Sequence, residues 1–504
     1  MKGSLRIRKM EENITKELLL FSDKISFIHD KNVTHYCKEA PFDPPAAYPE
    51  LPFVKKINKE NSVYPMVRNL LWKIGLDAEN FKTENWNPFK EIIKPGDKVL
   101  IKPNLVTHIH YLGQESLYGS ITHGSFIRPI IDYVHLAQKG NGSIVVADNP
   151  VEHTDFESIM RFTGIKRMVE ELYSKGYDGL EVVDLRPKVL KEAKNGEFYY
   201  DSQIGDPLGY VEIDLGGDSL FAEFDNKPNI HYFTLADKTV DHVDPKFKGK
   251  SATDDFHNSN SHKYIVSKSI LDADVIINIA KMKTHCKAGV SLTLKNMIGM
   301  VYEKNCMPHH RPGIPPDGDA CPFYPASHYI ASRKLYIKVL RKWLQIHRFP
   351  GFRAFRNFLQ RNRILIGKHI EHGNWKGNDT IWRTILDLNR IAIYADKNGA
   401  MCEFPQRKYF AIIDGIVGQQ GEGPMNGNPV VASTLIGGFN PVMVDALAIM
   451  KMGIRLDLIK SITEAMKIDK YKLYKNEDHF PKTSTLEHGG LNFDVPLGWR
   501  QFKN

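Results

Sequence analysis

Short apolar runs, most of them ended by a polar residue, recur along the chain from about residue 96. Each run is rich in Val and Ile and is bounded by turn-forming residues. Near-continuous runs, unlike alternating ones, are typical of strands that are buried on both faces of a mostly parallel sheet. The runs are PGDKVLIKPNLV (95–106), GSIVVADNP (142–150), LEVVDL (180–185), ADVIINIAKMK (273–283), YFAIIDGIVG (409–418) and a weaker STLIGGF (433–439).

Helical patterns lie between these runs. SFIRPIIDYVHLAQKG (125–140) and NPVMVDALAIMKMG (440–453) have the composition and spacing of helices, and Gly453 is suited to end the second one. GVSLTLKN (289–296) favours a helix that begins near Ser291, whose first amides would attract an anion. These elements predict an α/β fold with a mostly parallel buried sheet, flanking helices and a basic amphipathic helical insertion.

Changes in composition divide the chain into four parts. Residues 1–95 include a Pro-rich stretch and are predicted to be an accessory N-terminal segment. Residues 96–326 and 371–460 are predicted to form a discontinuous α/β core, residues 327–370 a basic helical insertion and residues 461–504 a C-terminal tail.

Polar side chains end several of the predicted strands. One of them alone is more typical of a solvated loop than of a site. In open α/β sheets, however, ligands bind beyond the carboxyl ends of the strands, and the same chemistry recurs from strand to strand. The sequence therefore predicts one shared site, built from Lys102, Asn104, Asp148, Lys281, Lys283 and Asp414.

The segment KMKTHCK (281–287) concentrates positive charge without an acid. A period of two would place Lys281, Lys283, His285 and Lys287 on one side of an extended segment, with Lys295 and Asn296 downstream. Crowded ammonium groups repel one another, so an anion or acidic side chains among them would be favourable. The alternative is a basic loop whose charges are solvated.

A Gly-rich segment, DGIVGQQGEGPMNGNP (414–429), follows a predicted strand. Gly421 and Gly423 would let the backbone approach a ligand, although the order of glycines matches neither a dinucleotide fingerprint nor a P-loop. The segment equally suits a plain connection. Four carboxylates are candidates either to hold a divalent cation or to neutralise the lysines, namely Asp148, Asp414, Glu422 and Asp445.

Net charge, cysteine content and the lengths of the apolar runs indicate the setting in which this protein is expected to act. The 504 residues carry a net charge of +9, a modest excess that does not by itself indicate nucleic-acid binding. The five cysteines include no C-x-x-C pair, which predicts a reduced, cytoplasmic setting. The N-terminus lacks the apolar segment of a secretory signal, and no run approaches the roughly 20 apolar residues of a spanning helix.

Much of the excess charge lies in the predicted insertion, where residues 331–370 contain eleven Lys or Arg and no acid. Leu335, Val339 and Trp343 fall at helical spacing opposite basic residues, the composition of a helix lying on a membrane surface. Residues 332–368 could thus dock on anionic lipid at the inner face of the membrane. The alternatives are apolar faces packed on the core and nucleic-acid binding, which the nearly balanced charge of the remaining chain disfavours.

Several of these motifs together resemble the domain of unknown function 362 family. The matching pieces are IKPNL (101–105), VVADN (145–149), KMKTHCKAGVSLTLKNMIGMV (281–301), DGIVGQQGEGP (414–424) and GGFNPVMVDALA (437–448). Some members resemble iron–sulfur proteins through an appended ferredoxin-like cysteine motif, which this chain lacks, so no iron–sulfur cluster is expected. The family-like polar residues are Lys102, Asn104, Asp148, Lys283, His285, Lys295, Asn296, Asp414, Glu422 and Asp445.

The sequence leaves two classes of function open. The first is an enzyme acting on an anionic small molecule, such as a phosphorylated, carboxylated or lipid-linked sugar. The second is a non-catalytic protein that grips an anionic cofactor or partner at the same place. In the enzyme, His285, Lys283 and Lys295 are the catalytic candidates, with isomerisation, transfer and hydrolysis all open. The substrate-binding candidates are Lys102, Asn104, Asn296, Gly421 and Gly423, and a divalent metal ion at the four carboxylates is the cofactor considered.

Overall fold

A mixed, mostly parallel eight-stranded sheet forms the centre of the fold. The computed structural model describes residues 2–193, 198–225, 232, 252–302, 304–322, 373–475, 480–481 and 490–502. The strands are β1 (Ile25–His29), β2 (Lys98–Lys102), β3 (Ser143–Asp148), β4 (Leu180–Asp184), β5 (Lys188–Glu192), β6 (Phe198–Ser202), β7 (Tyr210–Asp214), β8 (His257–Asn258), β9 (Ser261–Ser267), β10 (Val275–His285), β11 (Gly289–Ser291), β12 (Lys408–Glu422) and β13 (Asn426–Gly438).

The order of strands in the main sheet is β1-β13-β12-β10-β2-β3-β4, with β11 paired to the end of β10. The run from β12 through β10, β2 and β3 to β4 is parallel, whereas β13 pairs antiparallel with both β12 and β1. A hairpin of β5 and β6 and a small sheet of β7, β9 and β8 lie outside it. The predicted fold class is confirmed for the sheet.

Helices cover both faces of the sheet. They are α1 (Lys2–Leu20), α2 (Val63–Lys73), α3 (Gly124–Gln138), α4 (Phe156–Thr163), α5 (Ile165–Tyr173), α6 (Lys268–Asp272), α7 (Thr293–Asn296), α8 (Ile381–Tyr394), α9 (Pro441–Lys451) and α10 (Lys460–Thr463). The α9 helix begins where the Asn440 side chain accepts hydrogen bonds from the amides of Val442 and Met443, and Pro441 at its first position needs no donor. No described helix is both long enough and apolar enough to cross a membrane.

The near-continuous apolar runs follow from the covering of both faces. Along β2, Val99 and Ile101 enter one hydrophobic cluster with α2 and α3, whereas Leu100 enters the cluster on the other face with α8 and α9. All eleven residues of β10 are buried. A strand between two cores gains from apolar side chains at successive positions, which is why the alternation of a half-exposed strand is missing here.

Both ends of the chain join this core. Residues 1–95, predicted to be an accessory segment, supply the edge strand β1, which pairs with β13, and helix α2, whose Val63, Val67 and Leu70 are fully buried. In the predicted C-terminal tail, Phe493 and Trp499 are buried in the cluster on the opposite face. The predicted basic insertion, residues 327–370 with the segment 332–368, lies wholly among residues 323–372, which are outside the described residues.

The Gly-rich segment differs from its prediction. Residues 408–422 and 426–438 form the long hairpin of β12 and β13 instead of a loop, joined by a turn at 423–425. The glycines there allow close packing of backbones: a Cβ on Gly418 would lie 2.7 Å from the Met282 carbonyl oxygen on β10. From the sequence alone the glycines favour a loop. The strand whose close approach requires them, β10, is distant in sequence, so the local pattern does not show this requirement.

Candidate functional site

The carboxyl ends of β2 and β3 bring Lys102 and Asp148 together. The Lys102 Nζ donates to Asp148 Oδ1 at 2.7 Å, and both side chains are buried. Asp148 Oδ2 accepts from the Leu105 amide at 2.6 Å, and Oδ1 accepts from the Asn149 amide at 2.8 Å. Burial lowers the pKa of Lys102, and Asp148 opposes that effect. Lys102 is therefore an ammonium whose charge is already balanced by a carboxylate.

Asn296 is adjacent to this pair. Its side-chain oxygen lies 3.5 Å from Lys102 Nζ, and its amide nitrogen donates to the Asn278 side chain at 2.7 Å and to the Lys102 carbonyl at 3.2 Å. Asn296 thus connects helix α7 to β10 and β2. Its donors are used within the protein, which makes it a positioning residue for Lys102 in this structure.

Gly299 allows the pair to fit beneath the helical turn Met297–Met300. A Cβ at this position would lie 2.1 Å from Asp148 Oδ1 and 2.6 Å from Lys102 Nζ. We expect Gly299→Ala to reduce the free energy of unfolding by about 1–3 kcal/mol, as overpacking of a buried site does. Urea denaturation measures this change. Gly217→Ala is the matched control, since its Cβ would meet no atom within 4 Å. Equal stability of the two variants would contradict the tight packing.

Lys283 lies on β10 and contacts neutral acceptors. Its Nζ donates to Asn104 Oδ1 at 3.0 Å and to the Ser120 carbonyl at 2.7 Å, and the side chain is 1% exposed. Burial, followed by the charges of Lys295 and Lys281, lowers its pKa well below the ordinary value for lysine. No described carboxylate forms an ion pair with Lys283. Asp148 opposes part of this lowering without forming an ion pair, so within the described part of the chain Lys283 has no direct counter-charge.

Lys281, two residues earlier, has a different environment. Its Nζ donates to Asp414 Oδ2 at 3.0 Å and to the Tyr36 hydroxyl, while Tyr36 donates to Asp414 Oδ1 at 2.7 Å. Lys281 and Asp414 are opposite each other in the parallel β10–β12 pairing, and both are fully buried. Asp414 thus neutralises a lysine, the second of the two roles predicted for the carboxylates.

Lys295 lies in the short helix α7. Burial lowers its pKa to about 8, and the neighbouring Cys286 acts in the opposite direction. Within the described ranges, its ammonium has neither a hydrogen-bond acceptor nor an ion-pair partner. Its charge lowers the pKa of Lys283, of His285 and of His309, so these four side chains share one electrostatic environment.

His285 ends β10, and a tight turn follows it. Its Nδ1 accepts from the amides of Lys287 and Ala288, at 3.1 and 3.3 Å. The pKa of His285 lies well below the ordinary value, because of burial first and then the charges of Lys295 and His309. Strand β11 pairs back onto β10, with His285 opposite Gly289. We name Lys283, Lys295 and the two neutral histidines beside them, His285 and His309, the cationic cluster, after the charge of its two lysines.

Asp445 has a structural contact that the sequence does not reveal. Its Oδ1 accepts from the amide and the hydroxyl of Thr293, at 2.8 and 2.5 Å, and its Oδ2 accepts from the Leu294 amide at 2.9 Å. Helix α7 begins at Thr293 rather than near Ser291, and Asp445 takes the first amides predicted to attract an external anion. Burial raises the pKa of Asp445 to about 7.

Glu422, Gly421 and Gly423 lie at the tip of the β12–β13 hairpin. Glu422 Oε1 accepts from the Leu497 amide at 2.5 Å, and burial raises its pKa. The Gly421 carbonyl accepts from the Thr284 hydroxyl at 2.8 Å, and the Gly423 carbonyl accepts from the Cys286 amide at 3.3 Å. These two hydrogen bonds join the tip of the hairpin to the segment that carries His285, so both glycine carbonyls are engaged by protein atoms.

The four predicted metal ligands are therefore not brought together as a set. Asp148 contacts Lys102, Asp414 contacts Lys281, Asp445 caps α7, and Glu422 contacts the C-terminal segment. Throughout the described ranges, no group of three or more His, Cys, Asp or Glu side chains is placed to hold a metal ion. Carboxylates engaged by lysines and backbone amides lack the converging free oxygens that a divalent cation requires.

Two cavities border the described residues. The larger, of about 320 Å³, is lined by residues that include Arg311, Asp379 and Lys460, none of them a predicted site residue. The smaller, of about 10 Å³, lies beside Lys287 and Trp499 and is near the lower limit for one water molecule. The larger cavity is thus not lined by the predicted site lysines. The candidate site is identified by its electrostatics and not by the size of a cavity.

Two residues of this region, His309 and Tyr36, have no signal in the sequence that would place them there. His309 is buried, its Nδ1 donates to the Met307 carbonyl at 2.8 Å, and burial and the charge of Lys295 lower its pKa to about 3. Tyr36 lies next to a Pro-rich stretch without a strand or helix pattern, so no local signal could place it beside Lys281.

Comparison with known proteins gives one finding. A family model described as domain of unknown function (DUF362) matches residues 99–213 and 234–450. No curated protein and no solved structure matches the chain. The two matched ranges contain Lys102, Asp148, Asp414 and the whole cationic cluster, and they cover about two thirds of the sequence. The chain therefore belongs to the DUF362 family.

Proposed function

We propose that the cationic cluster binds an anionic small molecule and that the protein is an enzyme acting on it. The observation that carries the proposal is positive charge, buried at Lys283 and half-buried at Lys295, that has no acidic ion-pair partner among the described residues. Lys102 and Lys281 each contact a carboxylate, whereas Lys283 contacts neutral oxygens and Lys295 contacts no described acceptor. A phosphate or carboxylate among these groups would supply the missing negative charge.

The depressed pKa values favour catalysis over simple structural pairing. Ion-pair networks also perturb pKa values, but they do so through a partner charge, and no described carboxylate pairs with Lys283 or Lys295. Burial lowers the pKa of both lysines, and the charges of Lys295 and Lys281 lower that of Lys283 further, as occurs where an active site tunes a group. In this role Lys283 and Lys295 hold the anion and stabilise negative charge that develops during the reaction.

Anion binding is tested with inorganic phosphate and with malonate as probes, by calorimetry at pH 7 and constant ionic strength. We expect at least one probe to bind, and both Lys283→Met and Lys295→Met to weaken its binding about tenfold or more, as expected for the loss of a charged hydrogen bond. Lys397→Met is the matched control, since Lys397 is exposed on a turn. Equal affinity in wild type and both cluster variants would refute the proposal.

Catalysis is tested separately from binding. The purified protein is incubated with a pool of phosphorylated and carboxylated cellular metabolites, and the products are followed by mass spectrometry. We expect at least one anionic compound to be converted by the wild type and left unchanged by Lys283→Met. An anion that is retained but never converted would overturn the enzyme assignment and support a non-catalytic binding protein instead.

A further inference from the structure

The orientation of the His285 ring is fixed by its own backbone. The amides of Lys287 and Ala288 both point at Nδ1, at 3.1 and 3.3 Å. A backbone N–H can only donate, so Nδ1 must accept and cannot carry a proton. A neutral imidazole has one proton, which is therefore on Nε2. This tautomer follows from the heavy atoms alone, because the donor role of an amide is not in doubt.

The turn that imposes this tautomer is held on both sides. The pairing of β11 with β10 closes it, and the Trp499 indole donates to the Cys286 carbonyl at 2.7 Å. Gly289 at φ +80° fits against Ile459 and Trp499, where a Cβ would lie within 2.5–2.8 Å of their side-chain atoms. The two amides are consequently not free to turn away from the ring.

The surroundings also oppose a second proton on the ring. Lys295, His309, Lys283 and Lys287 all disfavour a positive charge on His285, in addition to its burial. An imidazolium would place an Nδ1–H against two amide hydrogens as well. Loss of the Nε2 proton would require an imidazolate, which is far outside the range of an ordinary histidine. His285 is thus fixed as neutral over the whole physiological range.

We infer that His285 acts as a neutral hydrogen-bond donor, through Nε2–H, to an oxygen of the anion that Lys295 holds. This inference rests on the proposed function and refines it by naming the ligand group. The site takes ligands that present a hydrogen-bond acceptor there, such as a carboxylate, phosphate or enolate oxygen, and rejects an ammonium group. His285 then stabilises negative charge on that oxygen and does not serve as a general base.

The tautomer is tested directly on the whole protein labelled with ¹⁵N-histidine. Long-range ¹H–¹⁵N correlation spectra distinguish the two neutral tautomers and the imidazolium, and the signals missing in His285→Gln assign the ring. We expect the Nε2–H pattern, unchanged from pH 8 to pH 5.5. A protonated Nδ1 at any pH in this range, in either the neutral or the cationic form, would overturn the inference.

The donor role is tested by substitution. Glutamine can bring an amide N–H close to the position of Nε2–H, but it cannot act as a general acid or base near neutral pH. Phenylalanine supplies an aromatic ring without a hydrogen-bond donor. Of phosphate and malonate, the probe that the wild type binds is used. We expect His285→Gln to bind it about tenfold more tightly than His285→Phe does. Equal affinity of the two variants would overturn the donor role. Failure of the wild type to bind any anion, with the Nε2–H tautomer observed, would instead refute the proposed function.

Discussion

Asp414→Asn is expected to lower the free energy of unfolding by about 3–5 kcal/mol, the range for removing one partner of a buried ion pair. Asp414 and Lys281 are both fully buried, and Tyr36 donates to the same carboxylate. The substitution leaves the Lys281 ammonium without a counter-charge in an apolar interior. Chemical denaturation at pH 7 measures the change.

Two comparisons sharpen this test. Asp23→Asn removes an exposed carboxylate on the surface and should change stability by less than about 0.5 kcal/mol. The double variant Lys281→Met with Asp414→Leu removes both charges and should recover a large part of the lost stability, because a buried pair can be replaced by apolar side chains. A free energy of unfolding of Asp414→Asn within about 1 kcal/mol of the wild-type value would show that Lys281 and Asp414 are not a buried ion pair in solution.

The second large effect is loss of stability in mild acid. Burial lowers the pKa of His123, His257 and His309 to about 3 in the folded protein. An unfolded histidine titrates near 6.5, so the unfolded state binds more protons below that pH and folding stability falls as pH falls. Between pH 7.5 and 5.5 each of these histidines should remove about 1.4 kcal/mol, or about 4 kcal/mol in total. His285 acts in the same direction.

Asp445 acts with the opposite sign. Its pKa is raised to about 7, so the folded state gains a proton over the same range, which offsets about 2 kcal/mol of the loss. Asp445→Asn should therefore make the acid loss steeper, to about 4 kcal/mol or more. Denaturation curves of wild type and Asp445→Asn at pH 7.5, 6.5 and 5.5 measure both slopes. A variant whose stability is flat or rises on acidification would show that the histidines are not buried as neutral groups.

The convergence of Lys102, Asp148 and Lys283 could be predicted from the sequence because it depends on local signals. Each follows or ends an apolar strand, and parallel strands bring their carboxyl ends to one edge of the sheet. The strand bounds agree closely for β2, β3 and β4. Likewise, the continuous Val and Ile runs correctly indicated a sheet covered on both faces.

The partners of the carboxylates could not be predicted, because they depend on register and on distant segments. Nothing near Asp445 in sequence indicates that its acceptors face the amides of Thr293 and Leu294, 152 and 151 positions away. The pairing of Asp414 with Lys281 follows from one register of β12 on β10, and a shift by one residue would break it. The presence of four carboxylates in the sequence is equally compatible with a metal site and with ion pairs to the lysines.

Tyr36 and β1 have a practical consequence for anyone who trims this protein to its family-matched part. A fragment starting at residue 99 would lack the hydroxyl that helps hold Lys281 and Asp414, and it would leave the backbone of β13 from Thr434 to Gly438 bare along one side. Bare strand edges recruit other chains. Such a fragment should form aggregates, so homology boundaries here are a poor guide to where the polypeptide can be cut.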